Sequence, residues 1–163
     1  MMTGNPKEPK LSQQAEERID WYLSRYPSKQ AAVLPALHLA QAEFGYLSTE
    51  VMELIARRLG VPPIQIYEAA RFYTLYQKKP MGHHCIYVCT NVACFLNGAD
   101  ALLAHLKKKL GVDCGETTSD GKVSLFSVEC LAHCGEAPAV QIDDEYHGRV
   151  TPGSIDRTLD ELP

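Results

Sequence analysis

The sequence lacks the features of several common functional classes. It has no apolar run of the roughly 18 residues that a membrane-spanning helix requires. It has no excess of positive charge, because the net charge is −4, and this argues against nucleic acid as a partner. It also contains neither a G-x-G-x-x-G fingerprint nor a P-loop, so we do not expect a nucleotide cofactor to bind to this chain itself.

Export signals and early cysteines are also missing. The start, MMTGNPKEPK, has neither the apolar segment of a secretory signal nor the arginines of a transit peptide, and we predict a disordered tail over residues 1–10. The first half contains no cysteine, whereas six cysteines lie between positions 85 and 134. Without an export signal, metal binding or redox chemistry explains these cysteines better than structural disulfides do.

Residues 11–77 have the apolar periodicity of a small helical bundle. Prolines and glycines separate four amphipathic segments, which are predicted at 12–26, at 31–44 with a kink or late start at Pro35, between Ser48 and Gly60, and from Pro62 towards Tyr76. The bundle aromatics are predicted to be mainly core residues, with a docking surface as the alternative; they are Trp21, Tyr22, Tyr67, Phe72 and Tyr73.

After a linker at 78–82, the pattern changes to that of an α/β domain over residues 83–163. The predicted elements are a strand at 85–89, a helix at 98–110 capped by Asn97, a strand at 121–128, a hairpin turning at Asp143–Asp144 and a closing helix from Thr151. This order is typical of a thioredoxin-like sheet. The predicted fold class is therefore α+β, with an N-terminal helical bundle followed by a thioredoxin-like α/β domain.

The positions of the cysteines divide them into two groups. Cys85 and Cys89 lie about 13 Å apart on one strand, so they cannot bind one small metal centre together. Cys85 is predicted to be a small core residue, and Cys114 a free surface or half-buried thiol. The remaining four follow the ends of two strands, where loops meet at one sheet edge; they are Cys89, Cys94, Cys130 and Cys134.

Four converging thiolates can hold zinc or an iron–sulfur cluster. The spacings here are C-x₄-C and C-x₃-C, and they favour a [2Fe–2S] cluster over zinc, with each cysteine pair binding one iron. A zinc-stabilised binding module remains an alternative. A thiol oxidoreductase is another, although the C-x-x-C motif of thioredoxins is absent.

The C-x₄-C pair, followed after 35 residues by C-x₃-C, resembles the small [2Fe–2S] subunit of respiratory NADH:quinone oxidoreductase, or complex I. The segments AAVLPALHLAQAEFGYLS, YEAARFYTLY and GETTSDGKVSLFSVEC resemble the same family, so the similarity covers roughly residues 12–160. Related proteins of this family occur in NAD-reducing hydrogenases and NAD-dependent formate dehydrogenases.

The resemblance implies a helical bundle and a thioredoxin-like domain that binds one [2Fe–2S] cluster. Cys89 and Cys94 would bind one iron, and Cys130 and Cys134 the other. The partners would be a flavoprotein subunit that carries FMN and the NADH site, and further iron–sulfur subunits. The chain would have no catalytic residue of its own and would lie in the cytoplasm, at the inner face of the cell membrane, held there by its partners without direct membrane insertion.

The sequence departs from the family in the loop between the last two cysteines. This loop is often Leu-Gly-Ala in the family, and here it is Leu131-Ala132-His133. The loss of the glycine is expected to change how closely the backbone approaches the cluster. His133 is predicted either to donate a hydrogen bond to a sulfur, which would raise the reduction potential, or to point into solvent. Ser119 replaces a proline that is common after GETT.

Overall fold

The computed structural model describes residues 9–163, so most of the tail predicted at 1–10 lies outside the described residues. The chain divides into two compact units, the first ending at Pro80 and the second spanning Met81–Pro163. Each unit has its own hydrophobic core. Among residues 9–163, no helix is both long and apolar enough to cross a membrane.

The first unit is a bundle of four α-helices, and polar N-caps mark where two of them begin. The side chains of Ser12 and Ser48 accept hydrogen bonds from the backbone N–H groups of Ala15 and Val51, as N-caps do. Gly60 ends the third helix in the left-handed conformation. The elements are α1 (Gln13–Arg25), a 3₁₀ helix (Lys29–Ala32), α2 (Val33–Phe44), α3 (Thr49–Leu59) and α4 (Pro63–Phe72).

Two predicted helices are shorter in the structure. The second starts late, as a 3₁₀ turn followed by α2, and Pro35 then falls in the first turn of α2, where a missing N–H costs little. The fourth ends at Phe72 because Tyr73 is extended and the chain turns inward. There Tyr76 is buried, and its hydroxyl donates a 2.9 Å hydrogen bond to the carbonyl of Leu34.

The prediction that the bundle aromatics are mainly core residues is wrong for three of them. Trp21, Phe72 and Tyr73 are 44%, 78% and 38% exposed. Tyr22 and Tyr67 are partly buried against the core. The aliphatic side chains already fill the space between the helices, and they leave these rings outside; the fully buried ones include Ile19, Leu37, Leu47, Ile55, Leu59 and Ile66.

The second unit is a five-stranded mixed sheet with helices, and it confirms the predicted α+β class. The strand order is β2-β3-β1-β4-β5, in which β1 pairs with β3 in parallel and with β4 antiparallel. The elements are β1 (His84–Cys89), α5 (Val92–Leu96), α6 (Ala99–Leu110), β2 (Glu116–Thr117), β3 (Val123–Val128), a 3₁₀ helix (Cys134–Glu136), β4 (Val140–Ile142), β5 (Glu145–His147) and α7 (Pro152–Glu161).

Three short elements of this unit are absent from the sequence prediction: α5, β2 and the 3₁₀ helix. The short helix α5 is capped by Asn91, and Asn97 lies at its C-terminal end, so the predicted role of Asn97 as N-cap of the next helix is wrong. Gly98 takes that position before α6. The short strand β2 has only two residues, and these give no measurable periodicity. The hairpin at Asp143–Asp144 and the closing helix after Thr151 are confirmed.

Candidate metal centre

Cys89 and Cys94 lie where the chain leaves the central strand. Cys89 is the last residue of β1, and Cys94 lies in α5, which the Asn91 side chain caps by accepting a hydrogen bond from the Val92 N–H. Both thiols are almost completely buried, at 2% and 1% exposure. Cys94 is the buried residue of α5, whereas Val92, Phe95 and Leu96 are exposed.

Cys130 and Cys134 follow the neighbouring parallel strand. Both are exposed, and Cys134 begins the 3₁₀ helix. The register sets Cys89 opposite Val128, so the segment that carries Cys130 leaves the sheet at the same edge. The thiol of Cys89 interacts with those of Cys94 and Cys130, and the charge of Cys134 acts on Cys94. The structure therefore brings together the four cysteines that were predicted to converge.

The other two cysteines do not join this group. Cys85 lies at the opposite end of β1, on the face that carries Tyr87 rather than the buried Ile86. It is half-buried instead of a fully buried core residue, and burial raises the pKa of its thiol. Cys114 is also half-buried and lies near the ammonium group of Lys107, in agreement with the prediction of a free thiol.

Backbone N–H groups surround the sulfur atoms. Burial disfavours the Cys89 thiolate, but hydrogen bonds from the backbone of Asn91 and Leu131, together with those from the thiols of Cys94 and Cys130, lower the pKa of this thiol. The N–H of Ala132 donates to the sulfur of Cys130 over 3.2 Å. For Cys94, burial dominates and raises the pKa, although the backbone of Ala139 also donates to it. The sequence alone does not identify these donors. Every residue except proline has a backbone N–H group, and only the fold determines which of these groups reach a sulfur.

The conformation of Ala132 explains how this donor reaches its sulfur. Ala132 adopts a left-handed backbone with φ of 55°, a region that costs an L-residue roughly 1–2 kcal/mol. This is the position at which the resemblance described above implies glycine. The loop therefore keeps the backbone path that glycine would adopt freely, at the cost of local strain.

His133 faces a neighbouring carboxylate and not a sulfur, and its side chain is 36% exposed to solvent. Its Nε2 lies 3.4 Å from Oε2 of Glu136, and the centroid of its ring lies 5.8 Å from the centroid of the Tyr146 ring. The imidazole is therefore held against the following turn and strand β5. Its partner within the protein is therefore a carboxylate and not a sulfur.

The donor set fits a [2Fe–2S] cluster. Such a cluster is bound by four thiolates, two on each iron. It therefore does not require three protein side chains around a single metal position. In residues 9–163, no three His, Cys, Asp or Glu side chains are arranged around a single metal position. Two buried and two exposed thiols provide the four ligands. Backbone N–H groups that donate to three of these sulfurs offset part of the negative charge of the cluster and its thiolates.

Comparisons with known proteins agree with this arrangement. The chain is 44% identical over 146 residues to the second E-type subunit of the NADH-quinone oxidoreductase of Rhizobium meliloti, covering 90% of this chain and 87% of that one. It is 35% identical over 156 residues to the HndA subunit of the NADP-reducing hydrogenase of Solidesulfovibrio fructosivorans, covering 96% and 91%.

A solved structure shares the fold. A chain of NAD⁺-reducing [NiFe]-hydrogenase superposes with a TM-score of 0.70 at 24% identity, over 80% of this chain and 22% of the hydrogenase chain. The family model of the thioredoxin-like [2Fe–2S] ferredoxins matches residues 19–163, almost the whole described structure. With its four cysteines gathered at one sheet edge, the chain belongs to the thioredoxin-like [2Fe–2S] ferredoxin family.

Proposed function

We propose that this chain is the [2Fe–2S] electron-transfer subunit of an NADH dehydrogenase module of the complex I type. Cys89 and Cys94 bind one iron, and Cys130 and Cys134 bind the other. The observation that carries this proposal is the parallel pairing of β1 and β3, which brings two cysteine pairs from distant parts of the sequence to one edge of the sheet.

The residues around the cysteines support such a role. When bound, the cluster supplies a carrier for one electron at a time. The protein holds it between a buried pair of thiolates and an exposed pair, so one side is shielded from water and the other is accessible. The N–H groups of Asn91, Leu131 and Ala132 are fixed by the backbone and stabilise negative charge on the sulfurs in both oxidation states, most strongly in the reduced one.

The redox partner that we propose is a flavoprotein subunit that carries FMN and the NADH site. Trp21, Phe72 and Tyr73 offer it large exposed rings on the helical bundle, and aromatic residues are enriched in protein interfaces. Further iron–sulfur subunits would complete the module. In this assembly, the chain would lie at the inner face of the cell membrane, attached only through its partners.

One observation supports a second candidate for the enzyme complex to which this subunit belongs. The relative from Solidesulfovibrio is a subunit of an NADP-reducing hydrogenase, and the chain aligns with it over nearly its whole length. The alternative is therefore the corresponding subunit of a hydrogenase that reduces NAD or NADP, in which the cluster has the same ligands. Co-purification of the chain with its native neighbours distinguishes the two parents by the presence of quinone-reductase or hydrogenase subunits.

Metal analysis and spectroscopy of the purified chain test the proposal. We expect equal amounts of iron and acid-labile sulfide, visible absorption that bleaches on reduction, and an electron paramagnetic resonance signal of the reduced cluster. A colourless protein with one zinc ion per chain would contradict the proposal and favour the zinc-stabilised module. Reduction of the cluster by NADH only after addition of the flavoprotein would support the partner.

A further inference from the structure

The segment that follows Cys134 is held by a second segment on the far side of β5. The N–H of Arg149 donates to the carbonyl of Glu136 over 2.6 Å, and the N–H of Val150 donates to the carbonyl of Pro138 over 3.1 Å. Val150 is buried in the core of the second unit. The backbone just after the ligand cysteine is therefore tied to that core.

Gly148 makes this contact close. A Cβ atom at this position would lie 2.5 Å from both the Cβ and Oε2 of Glu136, and 3.1 Å from its carbonyl oxygen. The backbone conformation of Gly148 is one that other residues adopt. A side chain is therefore excluded at this position by the space that Glu136 occupies, and not by the backbone angles. No side chain larger than hydrogen fits there unless Glu136 moves.

The side chain of Glu136 extends the contact to the loop between the last two cysteines. Its carboxylate lies 3.4 Å from Nε2 of His133, and 3.7 Å from a guanidinium nitrogen of Arg149. Arg149 itself has φ of 51°, and Ala132 in the same loop as His133 has φ of 55°. Strained conformations of this kind tend to occur at functional sites, where the surrounding structure maintains them.

We propose that Gly148 and Glu136 are positioning residues that fix Cys134 as a cluster ligand. This inference rests on the proposed function, because it requires the cluster to be bound at Cys134. Glu136 lies two residues after Cys134 in the same 3₁₀ turn, so displacement of its backbone moves the ligand. The absent side chain at Gly148 lets Glu136 dock, and Glu136 in turn orients His133 and the loop.

The test is the Gly148→Ala variant, compared with wild type and with Gly153→Ala. Gly153 lies five residues further on, and an added Cβ there meets nothing within 4 Å. We expect Gly148→Ala to bind a cluster whose paramagnetic resonance g-values and visible circular dichroism differ from wild type. We also expect it to lose iron to a chelator about tenfold faster, within the range of substitutions around metal ligands. Gly153→Ala should match wild type in all three measurements.

A double variant identifies the cause. Glu136→Gly removes the side chain behind both 2.5 Å clashes, so in this background we expect Gly148→Ala to add no further iron loss and no further shift of the g-values. If Gly148→Ala accelerates iron loss in the Glu136→Gly background as much as it does in the wild-type background, the proposed contact is not responsible, and the inference is wrong. A merely structural defect would lower the melting temperature of the protein without changing the g-values.

The remaining outcomes are also decisive. Wild-type spectra and iron retention in Gly148→Ala would overturn the inference while leaving the proposed function intact. A wild-type chain that assembles no cluster would overturn both. Should Gly148→Ala fail to fold, Glu136→Ala takes its place, because it removes the carboxylate contacts without adding bulk. We expect faster iron loss and shifted g-values in that variant, and wild-type behaviour would contradict the inference.

Discussion

Cys89, the last residue of β1, lies directly opposite Val128, the last residue of β3. Because the two strands are parallel, the chain leaves both of them at the same edge of the sheet. Cys94 follows the first strand and Cys130 the second. This register brings the two halves of the proposed cluster site together.

Substitution of ligand and non-ligand cysteines should have opposite outcomes. We expect Cys89→Ser to lower cluster occupancy by at least about tenfold, because the loss of a direct ligand should exceed the effect of substitutions around it. The control is Cys85→Ser, a substitution on the same strand but at its other end. Iron and sulfide analysis with visible spectra measures both. Loss of the cluster from Cys85→Ser, or its retention in Cys89→Ser, would contradict the ligand assignment.

Ala132→Gly should stabilise the protein by about 1 kcal/mol. Glycine adopts a φ of 55° without the roughly 1–2 kcal/mol that alanine requires, although its greater freedom in the unfolded chain offsets part of the gain. The matched control is Ala104→Gly on the exposed side of α6, which should cost about 1 kcal/mol. Denaturant titration of both loaded variants measures the difference, and a destabilised Ala132→Gly would refute the strain argument.

Tyr76→Phe should destabilise the first unit by about 1 kcal/mol at neutral pH. The substitution removes the hydroxyl that donates to the Leu34 carbonyl, and the loss of one intramolecular hydrogen bond typically costs about 1 kcal/mol. Tyr26→Phe is the control, because Tyr26 is 40% exposed. Equal unfolding free energies for Tyr76→Phe and wild type would show that the hydrogen bond contributes nothing.

The same tyrosine predicts a dependence on alkaline pH. Burial, together with the charge of Tyr73, raises the pKa of Tyr76 to about 12, above its ordinary value of 10.0. Between these values, the unfolded chain releases the phenol proton while the folded chain retains it. Stability is therefore complete below pH 10 and falls by up to about 1.4 kcal/mol per pH unit towards pH 12.

Other groups titrate in this range, so the relevant quantity is the difference between wild type and Tyr76→Phe. This difference in unfolding free energy should fall as the pH rises from 10 and should reverse its sign before pH 12. A difference that stays constant over that interval would show that Tyr76 does not retain its proton in the folded state.

Phe72→Ala should weaken binding to the flavoprotein by about tenfold or more without unfolding the bundle. Phe72 is 78% exposed, so its removal should change stability by no more than about 0.5 kcal/mol, whereas large aromatic residues often dominate interface energies. Lys108→Ala, on an exposed part of α6, is the control. A binding assay with purified flavoprotein measures the affinity, and unchanged binding of Phe72→Ala would remove this ring from the proposed interface.

Much of this arrangement could be predicted from the sequence, because it depends on strong local signals. Ser48 and Gly60 mark both ends of α3, and the β-branched and aromatic residues before Cys89 predict β1. The grouping of the cysteines followed from the elements that carry them. The resemblance to the [2Fe–2S] subunit of complex I then supplied the cofactor.

The features that the sequence did not predict depend on tertiary packing. Phe72 and Tyr76 are both aromatic residues near the end of one helical pattern, yet Phe72 is exposed and Tyr76 is buried. The difference arises because the chain turns after Phe72 and delivers the hydroxyl of Tyr76 to Leu34, a contact across 42 positions. The contact between Gly148 and Glu136 has the same origin, since spacing alone does not reveal which segments meet.

The separate cores of the two units have a consequence for repair and turnover. All six cysteines lie in the second unit, and the core of the first consists of side chains from the helical bundle alone. We therefore expect damage that removes the iron to leave the packing of the bundle, and the exposed rings on it, unchanged. If these rings form the docking surface, an iron-free chain would still occupy its place in the assembly and exclude an intact copy. Recovery of activity after oxidative damage would then be limited by replacement of the whole chain, or by rebuilding the cluster in place.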